Sequence, residues 1–149
     1  EMESLIVPNE LFFEHLLQEI EAHRKVMIPT KGNSMLPLIR PQSDRIELSA
    51  LNEGSVKKGN IVLARTRTGL YVVHRIEKVE EGVITLRGDG NLKVREECDR
   101  EHVVAEVTAV YRKGRRVGKG SLEWRLAEKW WFSSPLMRRI FLGIYRRII

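Results

Sequence analysis

From Lys25 to Tyr111 the chain is a succession of short alternating runs broken by turn signals, and no stretch of it keeps a helical period. The candidate strands are residues 25–30, 45–49, 61–67, 70–79, 83–87 and 103–111. Thr68-Gly69 separates two of them as a hairpin turn. Ile61 and Leu63 alternate on one arm, Tyr71 and Val73 on the other. Glu80-Glu81-Gly82 is a second turn signal. Turns recur at short intervals with no helices between them. Residues 25–111 are therefore expected to be a mainly β, compact antiparallel unit.

Helical patterns flank this unit. Leu11, Phe12, Phe13, Leu16, Leu17 and Ile20 fall at helical spacing, with Glu14, Glu19 and Glu21 mostly opposite. They predict a helix over residues 9–24, with Asn9 as its N-cap after Pro8. At the other end, residues 112–120 are basic and glycine-rich, the composition of a linker. Two helical stretches are expected beyond it, residues 121–132 and 135–149. Ser134-Pro135 supplies a cap and a first-turn proline for the second. The expected organisation is a helix in residues 1–24, a β domain over 25–111, a linker over 112–120 and a helical tail over 121–149.

Charge divides the chain at the same place. Residues 1–111 carry 15 Lys and Arg against 18 Asp and Glu, a balance of −3, whereas residues 112–149 carry 11 against 2, a balance of +9. The tail also holds six of the ten aromatic residues, Trp124, Trp130 and Trp131 among them. No uncharged run reaches ten residues, so neither a transmembrane helix nor a secretory leader is expected. The chain is accordingly expected in the cytoplasm or at a membrane periphery. Cys98 is the single cysteine, which excludes an intramolecular disulfide and a cysteine-rich zinc site.

The chemistry-bearing residues are few. Ser34 lies in a glycine-containing turn, Gly32-Asn33-Ser34-Met35-Leu36-Pro37, just after a candidate strand. Such a turn can lift a hydroxyl clear of a sheet and aim backbone N–H groups at an oxyanion. A serine hydroxyl needs a base to become a nucleophile, and histidine is the usual one. Of the four histidines, His15 and His23 sit on or just after the first helix. His74 sits in the middle of a candidate strand, where a polar ring needs a partner, and the fourth is His102. Gly88-Asp89-Gly90-Asn91, after the next strand, could bring a carboxylate to that ring. Each piece alone has a plainer reading: a turn serine, a satisfied strand histidine, an Asp-Gly turn.

Their order adds information. Lys31-Gly32-Asn33-Ser34-Met35-Leu36-Pro37, then Lys58-Gly59-Asn60-Ile61-Val62, then Val73-His74-Arg75-Ile76, then Arg87-Gly88-Asp89-Gly90-Asn91 resembles the serine peptidase superfamily of signal peptidases and self-cleaving repressors (S24/S26). The resemblance covers about residues 28–110. It is closest to the archaeal and endoplasmic-reticulum branch, in which a histidine replaces the catalytic lysine. It implies an antiparallel β-ribbon, barrel-like fold of that type, carrying an N-terminal helix and C-terminal helices. It also implies that Ser34 attacks the scissile carbonyl and that His74 is the general base. The backbone N–H of Ser34, helped by Asn33, would form the oxyanion hole. For the acidic partner of the histidine three residues stay open. Asp89 matches the Gly-Asp-x-Asn motif, Glu96 lies near the offset of the family's second aspartate, and Asp99 falls a little later. Gln42-Ser43-Asp44 and Gly59-Asn60 stand where the family usually has Gly-Asp.

The expected function is thus serine endopeptidase action on a peptide or protein, with no cofactor and no metal. The alternative is a catalytically degenerate peptide- or membrane-binding module on the same fold. For the tail, Trp130, Trp131, Arg138, Arg139, Arg146 and Arg147 are the expected contacts with a membrane surface or a partner chain, a homodimer included. Packing of the tail onto its own β domain is the competing arrangement. Nucleic acid is disfavoured, because no recognised nucleic-acid-binding motif accompanies the charge.

Overall fold

The computed structural model describes residues 10–30, 35–36, 38–40, 43–90 and 94–131, and, further on, residues 139–140, 143–144 and 147. For residues 10–12, 130 and 131 it describes the backbone alone. Helix α1 (Glu10–Glu21) leads into β1 (Val26–Pro29), β2 (Asp44–Ser49), β3 (Ile61–Arg65), β4 (Tyr71–Glu80), β5 (Val83–Arg87), β6 (Glu96–Asp99), β7 (Val103–Arg112) and β8 (Arg115–Gly118), and helix α2 (Leu122–Trp131) follows. The strands form one antiparallel sheet in the order β1-β2-β7-β3-β4-β5-β6, with β8 also on β7. The sheet is open, with β1 and β6 at the ends of the path, so the barrel-like closure expected from the sequence is not formed among the described residues.

Alternation along the strands buries both faces of the sheet. Ile61, Leu63 and Val73 join Ile46, Leu48, Val107 and Val110 in one core, against Leu16 and Ile20 of α1 and Trp124 and Ala127 of α2. Val62, Ala64, Val72 and Ile76 turn the other way and pack with Ile84, Leu86, Cys98 and Val103. Phe13 of α1 stacks at a tilt on Tyr71, with ring centroids 4.2 Å apart, so the first helix is fixed to the β4 strand as well as to the core.

Two expectations need correction. The stretch over 112–120 is not a linker. Lys113 and Gly114, at φ 54° and 81°, make a tight turn, and Arg115–Gly118 returns along β7 as β8. Val117 is buried, Arg116 bonds Glu47 on β2 at 3.0 Å, and Lys119, just past the strand, meets Glu106 on β7 at 2.5 Å. A strand whose charges are matched by facing carboxylates carries almost no apolar period, which is why its composition resembles a linker. β6 is the second difference, a strand inside the expected β unit at residues where the sequence suggested none. Its one buried residue is Cys98, held between neighbours that are acidic.

Helix α2 is less separate than an appendage. Trp124 is 1% exposed within the core. Arg112 on β7 gathers Asp44 in a two-pronged contact at 3.0 and 2.8 Å, the Leu38 carbonyl at 2.8 Å and Glu123 of α2 at 3.0 Å. One guanidinium therefore ties β2, β7, the segment entering β2 and α2. The Asn9 cap, the Ser134-Pro135 junction, Arg138, Arg146 and most of the second tail helix lie outside the described residues. Within that stretch Arg139, Ile140, Gly143, Ile144 and Arg147 are helical and exposed.

Candidate active site

His74 is the histidine that the fold buries. It lies on β4 opposite Val62 of β3, with its side chain 1% exposed. Residues 72, 74 and 76 share one face of that strand, and 73 and 75 share the other. Leu86 of β5 stands opposite both Ile76 and Glu96 of β6, so Glu96 arrives on the same face as His74. There His74 Nδ1 and Glu96 Oε1 are 2.6 Å apart. An ionised carboxylate can only accept, so the ring donates from Nδ1 and keeps Nε2 as its basic nitrogen. Glu96 retains 16% exposure, which leaves the pair at the margin of the buried face rather than sealed within it.

The neighbouring residue faces the opposite way and takes a different carboxylate. Arg75 is fully buried and forks onto Asp89, Nε to Oδ1 at 2.7 Å and Nη2 to Oδ2 at 2.5 Å. Its Nη1 donates to the Gly59 carbonyl at 2.7 Å. Asp89 is thus the counter-ion of Arg75 and not the residue that orients His74. Asp99 does not orient it either. On β6, Glu96 and Cys98 share one face while Glu97 and Asp99 share the other. Asp99 meets Arg67 at 3.0 Å, with Glu97 on the same arginine at 2.9 Å. Of the three open carboxylates, Glu96 is the one in contact with the histidine.

The described residues of the serine-bearing turn meet Asp89, the partner of Arg75. Met35 and Leu36 are buried, and the Asp89 backbone N–H points at Met35 Sδ over 3.4 Å. Ser34 and Asn33, the expected nucleophile and its oxyanion-hole neighbour, lie outside the described residues. Asp44 and Asn60, from the two segments in which the sequence differs from the resembled motifs, have structural partners, while Gln42 lies outside the described residues. Asp44 holds Arg112, and the Asn60 amide donates to the carbonyls of Gly54 and Ser55 at 2.9 Å each.

Cys98, between Glu97 and Asp99 in sequence, is not an alternative nucleophile. Burial, with the charge of Asp99 added, pushes its thiol up to about 11, so almost none of it is thiolate at neutral pH. Compared with models of known protein families and with curated protein sequences, the chain matches none.

Proposed function

We propose that the chain is a serine endopeptidase with a fold similar to that of signal peptidases and self-cleaving repressors, using Ser34, His74 and Glu96. The observation that carries the reading is the buried His74 ring held through Nδ1 by Glu96 at 2.6 Å. A satisfied strand histidine needs only some partner. A carboxylate on Nδ1 is the partner a general base requires, because it fixes the tautomer and stabilises the imidazolium. Met35, the next residue after Ser34, is anchored beside the turn that follows β5.

In this reading Ser34 Oγ attacks the scissile carbonyl carbon as Nε2 of His74 takes its proton. The tetrahedral oxyanion is held by the Ser34 backbone N–H and by Asn33. When the peptide bond breaks, Nε2 returns the proton to the departing amine and leaves an ester on Ser34. Water then enters with the same nitrogen as base and releases the acid. Glu96 stays ionised throughout and compensates the transient imidazolium.

The test is labelling by a serine-directed phosphonylating probe together with turnover of a peptide library. Wild-type chain should react, and Ser34→Ala and His74→Ala should each abolish both signals. Unchanged labelling in the two variants would end the reading. A wild-type chain that binds peptides but is neither labelled nor able to cleave them would instead be a binding module.

A further inference from the structure

We infer that the outer face of α2 is a docking surface for an anionic lipid bilayer. Leu122, Arg125, Leu126 and Lys129 recur at i, i+3, i+4 and i+7, so they share one side of the helix. That side points away from the core, which takes Trp124 and Ala127. Leu122 is 73% and Leu126 57% exposed, the first of them among the most exposed large apolar side chains described. Arg125 and Lys129 are exposed beside them. The two leucines also wall a shallow groove toward β8, lined too by Glu123, Val117, Arg115 and Arg116; Arg115 pairs with Glu123 and Arg116 with Glu47, so Arg125 and Lys129 are the cations the surface rests on. Further along the chain Ile140 and Ile144, again four residues apart, are 48% and 52% exposed, with Arg139 and Arg147 exposed near them.

Charge selects the occupant. A second copy of this chain, docked face to face, would set Arg125 and Lys129 against their own copies. Nucleic acid would satisfy the cations and leave the leucines in water. An anionic bilayer takes both, phosphates on the guanidinium and ammonium groups and acyl chains around the leucines. The residues that carry this surface differ from the Trp130 and Trp131 pair singled out by the sequence. The inference is independent of the peptidase reading, since it concerns another face and is read without activity.

The experiment is flotation of the full chain with vesicles of phosphatidylcholine alone and of phosphatidylcholine mixed with phosphatidylglycerol. Wild type should float with the mixed vesicles only, and raised salt should weaken it. Exchanging Arg125→Gln or Lys129→Gln should each weaken binding about fivefold. The pair Leu122→Ser and Leu126→Ser should weaken it on the order of tenfold or more, with near-ultraviolet circular dichroism unchanged. No flotation by wild type, equal flotation of all variants, or equal binding to both vesicle types would overturn the inference. So would a concentration-dependent dimer or nucleic-acid binding that the leucine pair abolishes.

Discussion

At Glu96 a single-residue shift along β6 separates a carboxylate that touches His74 from one that cannot. Glu97 and Asp99 are as acidic and nearly as close in sequence, but they leave the opposite face of the strand and bind Arg67. Glu96→Gln keeps the shape and removes the negative charge. It is expected to lower kcat/KM, or the rate of probe labelling, by about 10²–10⁴-fold while His74 stays buried. Asp99→Asn loses only contacts of an exposed, solvent-screened cluster and should leave the rate within about twofold. Equal losses in both variants would detach Glu96 from the chemistry. His74 stood out in the sequence by residue type and order, and the structure gives it a carboxylate partner, whereas Ser34 lies outside the described residues. Glu96 stayed one of three because choosing among them needs strand parity, and the strand itself was not recognised.

The elements that were legible are those with an apolar period: β1, β2, β3, β4, β5, β7 and α2 occur within a residue or two of their expected places. β6 and β8 were not, for one shared reason. Each is short, has one buried apolar side chain, and fills most of its other positions with charged residues that have partners on neighbouring elements. Hydrophobic period carries no information in such strands. The turn between β7 and β8 resembles the one between β4 and β5, where Glu81 and Gly82 take φ 50° and 82°. Two consecutive positive φ values are the type I′ pattern, which favours Asn-Gly. Glu81 bears the left-handed penalty that asparagine largely avoids. Glu81→Asn is therefore expected to stabilise the chain by up to about 1 kcal/mol, seen as a higher urea midpoint with an unchanged slope. A lower midpoint would mean that the turn is held by something other than its backbone preference.

Across the whole molecule the sheet is held by acidic residues of β2 and β7 that face basic residues arriving late in the chain. Glu47 gathers three partners, Thr108 at 2.7 Å, Arg116 at 3.0 Å and Lys25 at 3.4 Å. Burial pushes its carboxyl up, but the Arg116 and Thr108 hydrogen bonds and the Lys25 charge outweigh burial and hold it below the ordinary value of 4.5. A carboxyl held low in the folded chain binds its proton more readily once unfolded. Its contribution is complete above about 4.5 and is lost as pH falls through the lower, folded value. Urea unfolding at a series of pH values should show stability dropping on the acid side. Glu47→Gln should lower stability at neutral pH by about 1–3 kcal/mol and make that acid drop shallower. An acid limb of unchanged steepness would assign it to other carboxylates.

The same late-arriving cations bear on how the C-terminal region is studied in isolation. Arg112 faces Asp44, Arg116 faces Glu47 and Lys119 faces Glu106. A synthetic peptide copied from residues 112–149 would release all three from those partners and turn Trp124 out into water. Its affinity for any polyanion, and the steepness with which salt erodes it, would exceed those of the intact chain. The peptide is a poor surrogate for the region, because part of its apparent charge already has its counter-ions inside the fold.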